Sequence, residues 1–145
     1  MSSRLFQKIR EVYGLAYSII SFADFYLDTG IFGVYVETDK EKVGKALNLI
    51  REECDRLVRF PVSKKEITNL KYQLKGNFVL NLESTFVRMN RLAKLEIYLK
   101  KFIPLKDVMK QIDEITPDHL TLAAKKLFQN DHDFLTILYP EKSNN

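Results

Sequence analysis

Tryptophan is absent from the 145 residues, and cysteine occurs once, at Cys54. A lone thiol excludes an internal disulfide and a multi-cysteine zinc site. The two histidines, His119 and His132, are too few for a histidine-rich metal centre. Five Gly and four Pro do not suffice for a linker-rich or collagen-like chain, and a 46% hydrophobic content is too high for a disordered one. No apolar run approaches the roughly 18–20 residues of a membrane span. The first residues, MSSRLFQKIREVYG, carry charge where a signal peptide needs an apolar core. The expectation is a soluble chain with no visible secretory signal and no compartment assigned. Charge is mildly basic, 23 Lys and Arg against 19 Asp and Glu, and the cations are spread along the chain. Spread charge solvates helix faces, so nucleic acid is not an expected partner.

What is present reads as alternating helix and strand. Leu5, Phe6, Ile9, Val12 and Tyr13 recur at helical spacing from about Ser3, and Gly14 closes that helix as a left-handed cap. Residues 16–27 and 31–38 read as strands around Asp28-Thr29-Gly30, an antiparallel hairpin. Thr38 to Glu41 has the spacing of a capping box for a helix reaching about Arg59. The apolar stripe of that helix is Val43, Ala46, Leu47, Ile50, Cys54, Leu57 and Val58. Pro61 stops it. Ser63 to Glu66 is a second capping box, opening a helical stretch to about Lys101 with a break near Glu83-Ser84. Pro104 and Thr116-Pro117 start two further helices, and residues 133–139 read as a last strand. The fold class is α+β, a small antiparallel or mixed sheet covered by several helices. Residues 1–145 form one partial domain by this reading, with a polar tail at 140–145.

Catalytic templates fail in turn. There is no G-x-x-x-x-G-K-[ST] loop, no dinucleotide fingerprint and no G-x-S-x-G elbow. His119 sits in DHLTLA and His132 in NDHDF, neither a zinc-peptidase pattern; both read as solvated. Cys54, on an apolar stripe, reads as a small core residue rather than a nucleophile. Glu83 and Glu96 lack a carboxylate partner and read as surface residues or as acids salt-bridged to a nearby Lys or Arg. One junction stands apart. Arg10 lies one turn before the end of the first helix, Gly14 turns the chain, and Tyr17 follows just inside the next strand. Arg can fork onto a carbonyl, and a Tyr hydroxyl can donate to an oxyanion. The same two residues also read as a surface Arg–Glu pair and a half-buried strand tyrosine, and spacing alone favours that plainer view.

The segment SSRLF…IREVYGLAYS resembles the second-domain signature of the pitrilysin/insulinase family of zinc peptidases, including the mitochondrial processing peptidase subunits. TGIFGVYVETD, KVGKALNLIREECDRL, the Ser63–Glu66 helix start, LKGNFVLNLES…RMNRLAKLEIYL and IDEITPDHLTLAAKKLF extend the likeness in order along the chain. Family members carry zinc on an inverted H-x-x-E-H motif plus a later Glu in an N-terminal half, and neither is present here. The resemblance therefore implies no catalytic or metal-binding residue in this chain and no cofactor bound by it, with zinc in a missing upstream half or a partner subunit. It implies an N-terminally truncated half-domain that begins just past a Gly-rich turn. Arg10 and Tyr17 match the family pair that faces a peptide or unfolded-protein substrate, so the implied function is the non-catalytic, substrate-binding portion of a zinc endopeptidase, inactive alone. The alternative is a structural or assembly subunit of the same fold without a proteolytic role. A missing strand and helix further imply self-association through exposed edges at 16–27 or 133–139.

Overall fold

The structure is a computed structural model that describes residues 3–129 and 133–139. His132 and the expected tail at 140–145 lie outside the described residues. The chain divides into two compact units, Met1–Arg59 with Ala123–Asn145, and Phe60–Leu122.

The first unit begins with a helix that winds as a π-helix over Phe6–Val12. Its wide turn persists into the exit, where the Tyr13 N–H donates to Lys8 O at 3.1 Å, five residues back. Gly14 then takes φ +58°, the left-handed conformation its position requires. The hairpin follows: β1, Ser18–Phe25, pairs antiparallel with β2, Gly30–Glu37, placing Ile19 opposite Val36 and Phe22 opposite Gly33. Strand alternation sends Ile19, Val34 and Val36 to one face, where they pack with Ile9, Leu15, Ala16 and Leu49 as the core. The opposite face leaves Ile20, Phe22, Ile31 and Tyr35 exposed. Gly33 is the one position where Phe22 can lie across the sheet, because a Cβ there would fall 2.4 Å from the ring.

The capping box expected at Thr38–Glu41 does not form. Asp39 occupies the cap without a side-chain bond and opens a 3-10 turn, Lys40–Lys42. The Thr38 hydroxyl instead donates to the Leu15 carbonyl oxygen, across the sheet end. Helix α1, Val43–Arg59, is as long as its periodicity predicts, but its buried line is Ala46, Leu49 and Glu53. Glu53 is only 4% exposed. Lys8 reaches it from the first helix, Nζ to Oε1 at 2.9 Å, and holds Glu52 at 3.2 Å as well. Arg56 lies 3.9 Å from the same carboxylate. The ion pair lets an acid occupy a core position that an apolar stripe would have filled. At the chain's far end, Phe128 packs edge-on to Phe32, ring centroids 5.4 Å apart. Residues 133–139 do not form the expected strand. Phe134 is 98% and Leu138 91% exposed, and the sheet of the described residues is the two-stranded hairpin. With no neighbouring strand to supply ladder bonds, apolar alternation alone does not make a strand.

The second unit is helical. Helix α2, Lys64–Asn81, is capped by Ser63, whose hydroxyl accepts the Glu66 N–H at 3.2 Å. The break falls where Glu83-Ser84 predicts it, and Ser84 caps α3, Thr85–Lys94. A π-helical turn, Leu95–Leu99, continues α3 and ends at Lys100, a non-glycine residue at φ +52°. Helix α4, Leu105–Glu114, takes Pro104 as its cap rather than its first residue. Lys71 donates to the Asp113 carbonyl at 2.7 Å and Lys75 binds the Asp113 carboxylate at 2.6 Å, placing two cations at the C-terminal turn of α4. The two units meet in sequence within α5, Pro117–Phe128. At its start the Thr116 hydroxyl accepts the His119 N–H, and His119 Nδ1 accepts the Thr116 N–H, both at 3.3 Å. This is a capping box with imidazole in the usual place of Glu.

Lys8 is the partner on which buried Glu53 depends. Its pKa is raised by the hydrogen bond to Glu53, against the opposing effect of burial, with the bond to Glu52 adding to the rise. A raised lysine pKa stabilises the fold fully below the ordinary lysine value and loses that contribution as pH climbs through the folded-state pKa. Urea unfolding of the wild type is therefore expected to show an alkaline loss of stability that Lys8→Met lacks. At neutral pH, Lys8→Met should cost about 2–3 kcal/mol, toward the low end for a broken buried pair because Lys8 keeps partial exposure. A neutral-pH loss under about 0.5 kcal/mol, the range of ordinary surface changes, would show that Glu53 does not depend on Lys8.

Candidate functional site

Gly14 is the residue that shapes the site. After its left-handed turn, the Leu15 N–H donates back to Ile9 O at 2.9 Å, and Leu15 and Ala16 bury their side chains in the core. The Tyr17 N–H then donates to Glu37 O at 2.8 Å, extending the hairpin ladder by one bond before β1 begins. With the Thr38 bond to Leu15 O and the Gly14 N–H donating to Arg10 O at 3.2 Å, Gly14, Leu15, Ala16 and Tyr17 carry backbone bonds at three of their four positions. They and residues 37–39, with Lys42, line a groove of about 500 Å³.

Tyr17 combines a held backbone with a free-standing side chain. It lies one residue outside β1 and is 80% exposed, so it is not the half-buried strand tyrosine of the plainer sequence reading. Arg10 is also exposed, on the first helix, with its guanidinium 5.0 Å above the Phe6 ring. Tyr17 lines the groove; Arg10 stands on the helix that leads into it. Glu37 accepts the Tyr35 hydroxyl at 2.7 Å, and its carboxylate pushes the Tyr35 phenol pKa up. Asp39 pairs with Lys42 at 2.7 Å. The arrangement can offer a phenol donor, a carboxylate and a lysine to an extended polar chain lying in the groove.

The remaining sequence candidates fall outside it. Cys54 is half-buried on α1, and burial, reinforced by the Asp133, Asp55 and Glu53 charges, pushes its thiol pKa up, the opposite of an activated nucleophile. His119 is committed to the α5 cap. Glu83 and Glu96 are exposed. Among the described residues, no group of three His, Cys, Asp or Glu could hold a metal ion. No helix there is long and apolar enough to cross a membrane.

Thr38 has a cap's spacing, but its hydroxyl serves a carbonyl 23 residues away. Thr38→Val keeps the shape and removes the donor, leaving the Leu15 carbonyl without that partner. The expected loss is about 1 kcal/mol, with faster hydrogen exchange at the Tyr17 amide. Unchanged exchange at Tyr17 would show that Thr38 does not hold the groove wall.

A family model described as the peptidase M16 inactive domain matches residues 1–74. A Streptomyces coelicolor protein named as an uncharacterized zinc protease is 38% identical over 86% of this chain and 27% of its own length. A Bacillus subtilis protein of the same description, YmxG, is 36% identical over 91% of this chain and 32% of its own length. The chain thus spans about a third of the length of the curated relatives it matches. Among solved structures, a peptidase M16 inactive domain from Pseudomonas fluorescens superposes with a TM-score of 0.75 at 24% identity, covering 86% of this chain and 30% of that one. A chain of Candida albicans complex III superposes at 0.77 and 24% identity, over 87% and 30%. At that identity both establish the fold.

Proposed function

Since the chain belongs to the peptidase M16 family as its inactive C-terminal domain, we propose that it forms the substrate-binding, non-catalytic portion of a zinc-dependent endopeptidase. The described residues offer no zinc ligand set, so the metal, which polarises the peptide carbonyl and activates water when bound, would sit in another half of the parent or in a partner subunit. What this chain contributes is binding and orientation. The Tyr17 hydroxyl donates to a peptide carbonyl oxygen and strengthens that bond as the oxygen gains charge. The Arg10 guanidinium holds a neighbouring stretch of peptide backbone through its paired N–H donors. A peptide or unfolded protein is the substrate of this reading. The observation that carries it is Tyr17 itself: an exposed phenol on a backbone fixed by the Glu37 and Thr38 bonds, at the edge of a groove.

Kinetics of the intact parent test the reading. Tyr17→Phe removes one hydroxyl, and turnover should fall on the order of a hundredfold with KM changed less. Arg10→Ala should raise KM. The chain alone should retain no stoichiometric zinc after dialysis and cleave no peptide. Wild-type kinetics in both variants would favour a structural or assembly subunit of this fold instead.

The same reading bears on assembly. Among the described residues the two-stranded hairpin has both outer strand edges unpaired, and its outward face is apolar at Ile20, Phe22, Ile31 and Tyr35. The isolated chain is expected to associate with a second copy, the simplest closed remedy for two open edges. Sedimentation at micromolar concentration checks this; a monomer that unfolds cooperatively would mean the hairpin needs no partner.

A further inference from the structure

Charge is not shared evenly between the two units. Residues 60–122 hold eleven Lys and Arg against seven Asp and Glu, whereas the rest of the chain holds twelve of each sign, so this unit carries the whole net charge of +4. Within it, residues 85–102 contain Arg88, Arg91, Lys94, Lys100 and Lys101 but a single acid, Glu96.

This segment is α3 with its π-helical extension, and it sits the opposite way round from a helix covering a core. Arg91 is the inward residue. Its guanidinium lies 5.9 Å from the centres of both the Phe78 and Phe102 rings, and Nη2 donates to the Ile103 carbonyl at 2.5 Å. Arg88 is likewise turned back, donating to the Leu82 carbonyl. Clamped in this way, the helix presents its apolar stripe outward: Phe86 is 66%, Met89 56% and Ile97 62% exposed, with Leu92 alongside. Their spacing keeps them on one side, with the exposed Glu96 the one acid among them, and Lys94, Lys100 and Lys101 are exposed nearby.

We propose that this outward stripe is an interfacial surface for an anionic lipid membrane. A single helix with apolar and aromatic residues on one face and cations around it lies in the headgroup plane, the apolar side chains entering the acyl boundary. Lysines beside the stripe extend their stems and place their ammonium groups among lipid phosphates. The exposed Lys94, Lys100 and Lys101 supply the charge match, and the Arg91 clamp supplies the orientation. The surface belongs to the second unit and the Tyr17 groove to the first, and the proposal does not rest on the peptidase reading.

The test is co-sedimentation of the full chain with phosphatidylcholine vesicles, with and without about one-third phosphatidylglycerol. Binding is expected to the anionic vesicles, weakening as salt rises, and far less to neutral ones. Phe86→Ser with Ile97→Ser should lower the partition coefficient tenfold or more while circular dichroism is retained. Should that variant unfold, Lys94→Glu with Lys101→Glu provides the check, since it should lower anionic binding several-fold without touching the apolar stripe. Ile20→Ser with Ile31→Ser, on the hairpin's outward face, should leave vesicle binding unchanged. No binding to anionic vesicles, equal binding to neutral ones, or equal loss in the hairpin variant would overturn the proposal. So would vesicle binding that survives in a folded stripe variant or, where that variant unfolds, in the lysine variant, a result that would leave the stripe free for an acidic protein partner.

Discussion

The left-handed turn at Gly14 is the constraint on which the rest of the first unit depends. It reverses the chain in one residue, so that Ile9 before it and Leu15, Ala16 and Ile19 after it bury in the same core. A residue with a Cβ would meet no neighbour there, so the requirement is one of backbone conformation and not of space. Once the turn is made, the carbonyls of Ile9, Leu15 and Glu37 each find a donor. Those bonds tie helix, hairpin and groove together, and Tyr17 inherits a fixed backbone from them.

A second tie, between Lys8 and Glu53, works from the other end. It bridges the first helix and α1 through a pair of side chains 45 residues apart in sequence. The two ties together bracket the segment that carries Arg10. The helix is held at its exit by Gly14 and on its flank by Lys8, and Arg10 stands exposed between those two ties.

Local signals were the legible part of the fold. Gly14 as a cap, the hairpin around residues 28–30, the Ser63 cap, the break before Ser84 and the Pro117 start depend on neighbouring residues alone, and each stands in the structure. Features that depend on a distant partner were not legible. Thr38 had the right spacing for a cap, but the Leu15 carbonyl competes for its hydroxyl. Glu53 is not among the stripe residues read from sequence, and its burial depends on Lys8, 45 residues upstream. Residues 133–139 have a strand's composition and, among the described residues, no strand paired with them. Of the two residues singled out in the sequence, Tyr17 lines the groove and Arg10 does not, whereas Glu37 and Asp39, which local spacing does not point to, line it from the end of the hairpin.

Under the proposed function, the Tyr17 side chain meets the substrate near the bond that is cut. Photo-crosslinking from position 17 tests it most directly. A benzophenone amino acid placed there in the intact parent, irradiated with a bound non-cleavable peptide, should attach to that peptide within a residue or two of the scissile position, and the adduct should vanish when excess substrate competes. Attachment only to other parts of the protein, or to peptide that substrate does not displace, would contradict the account.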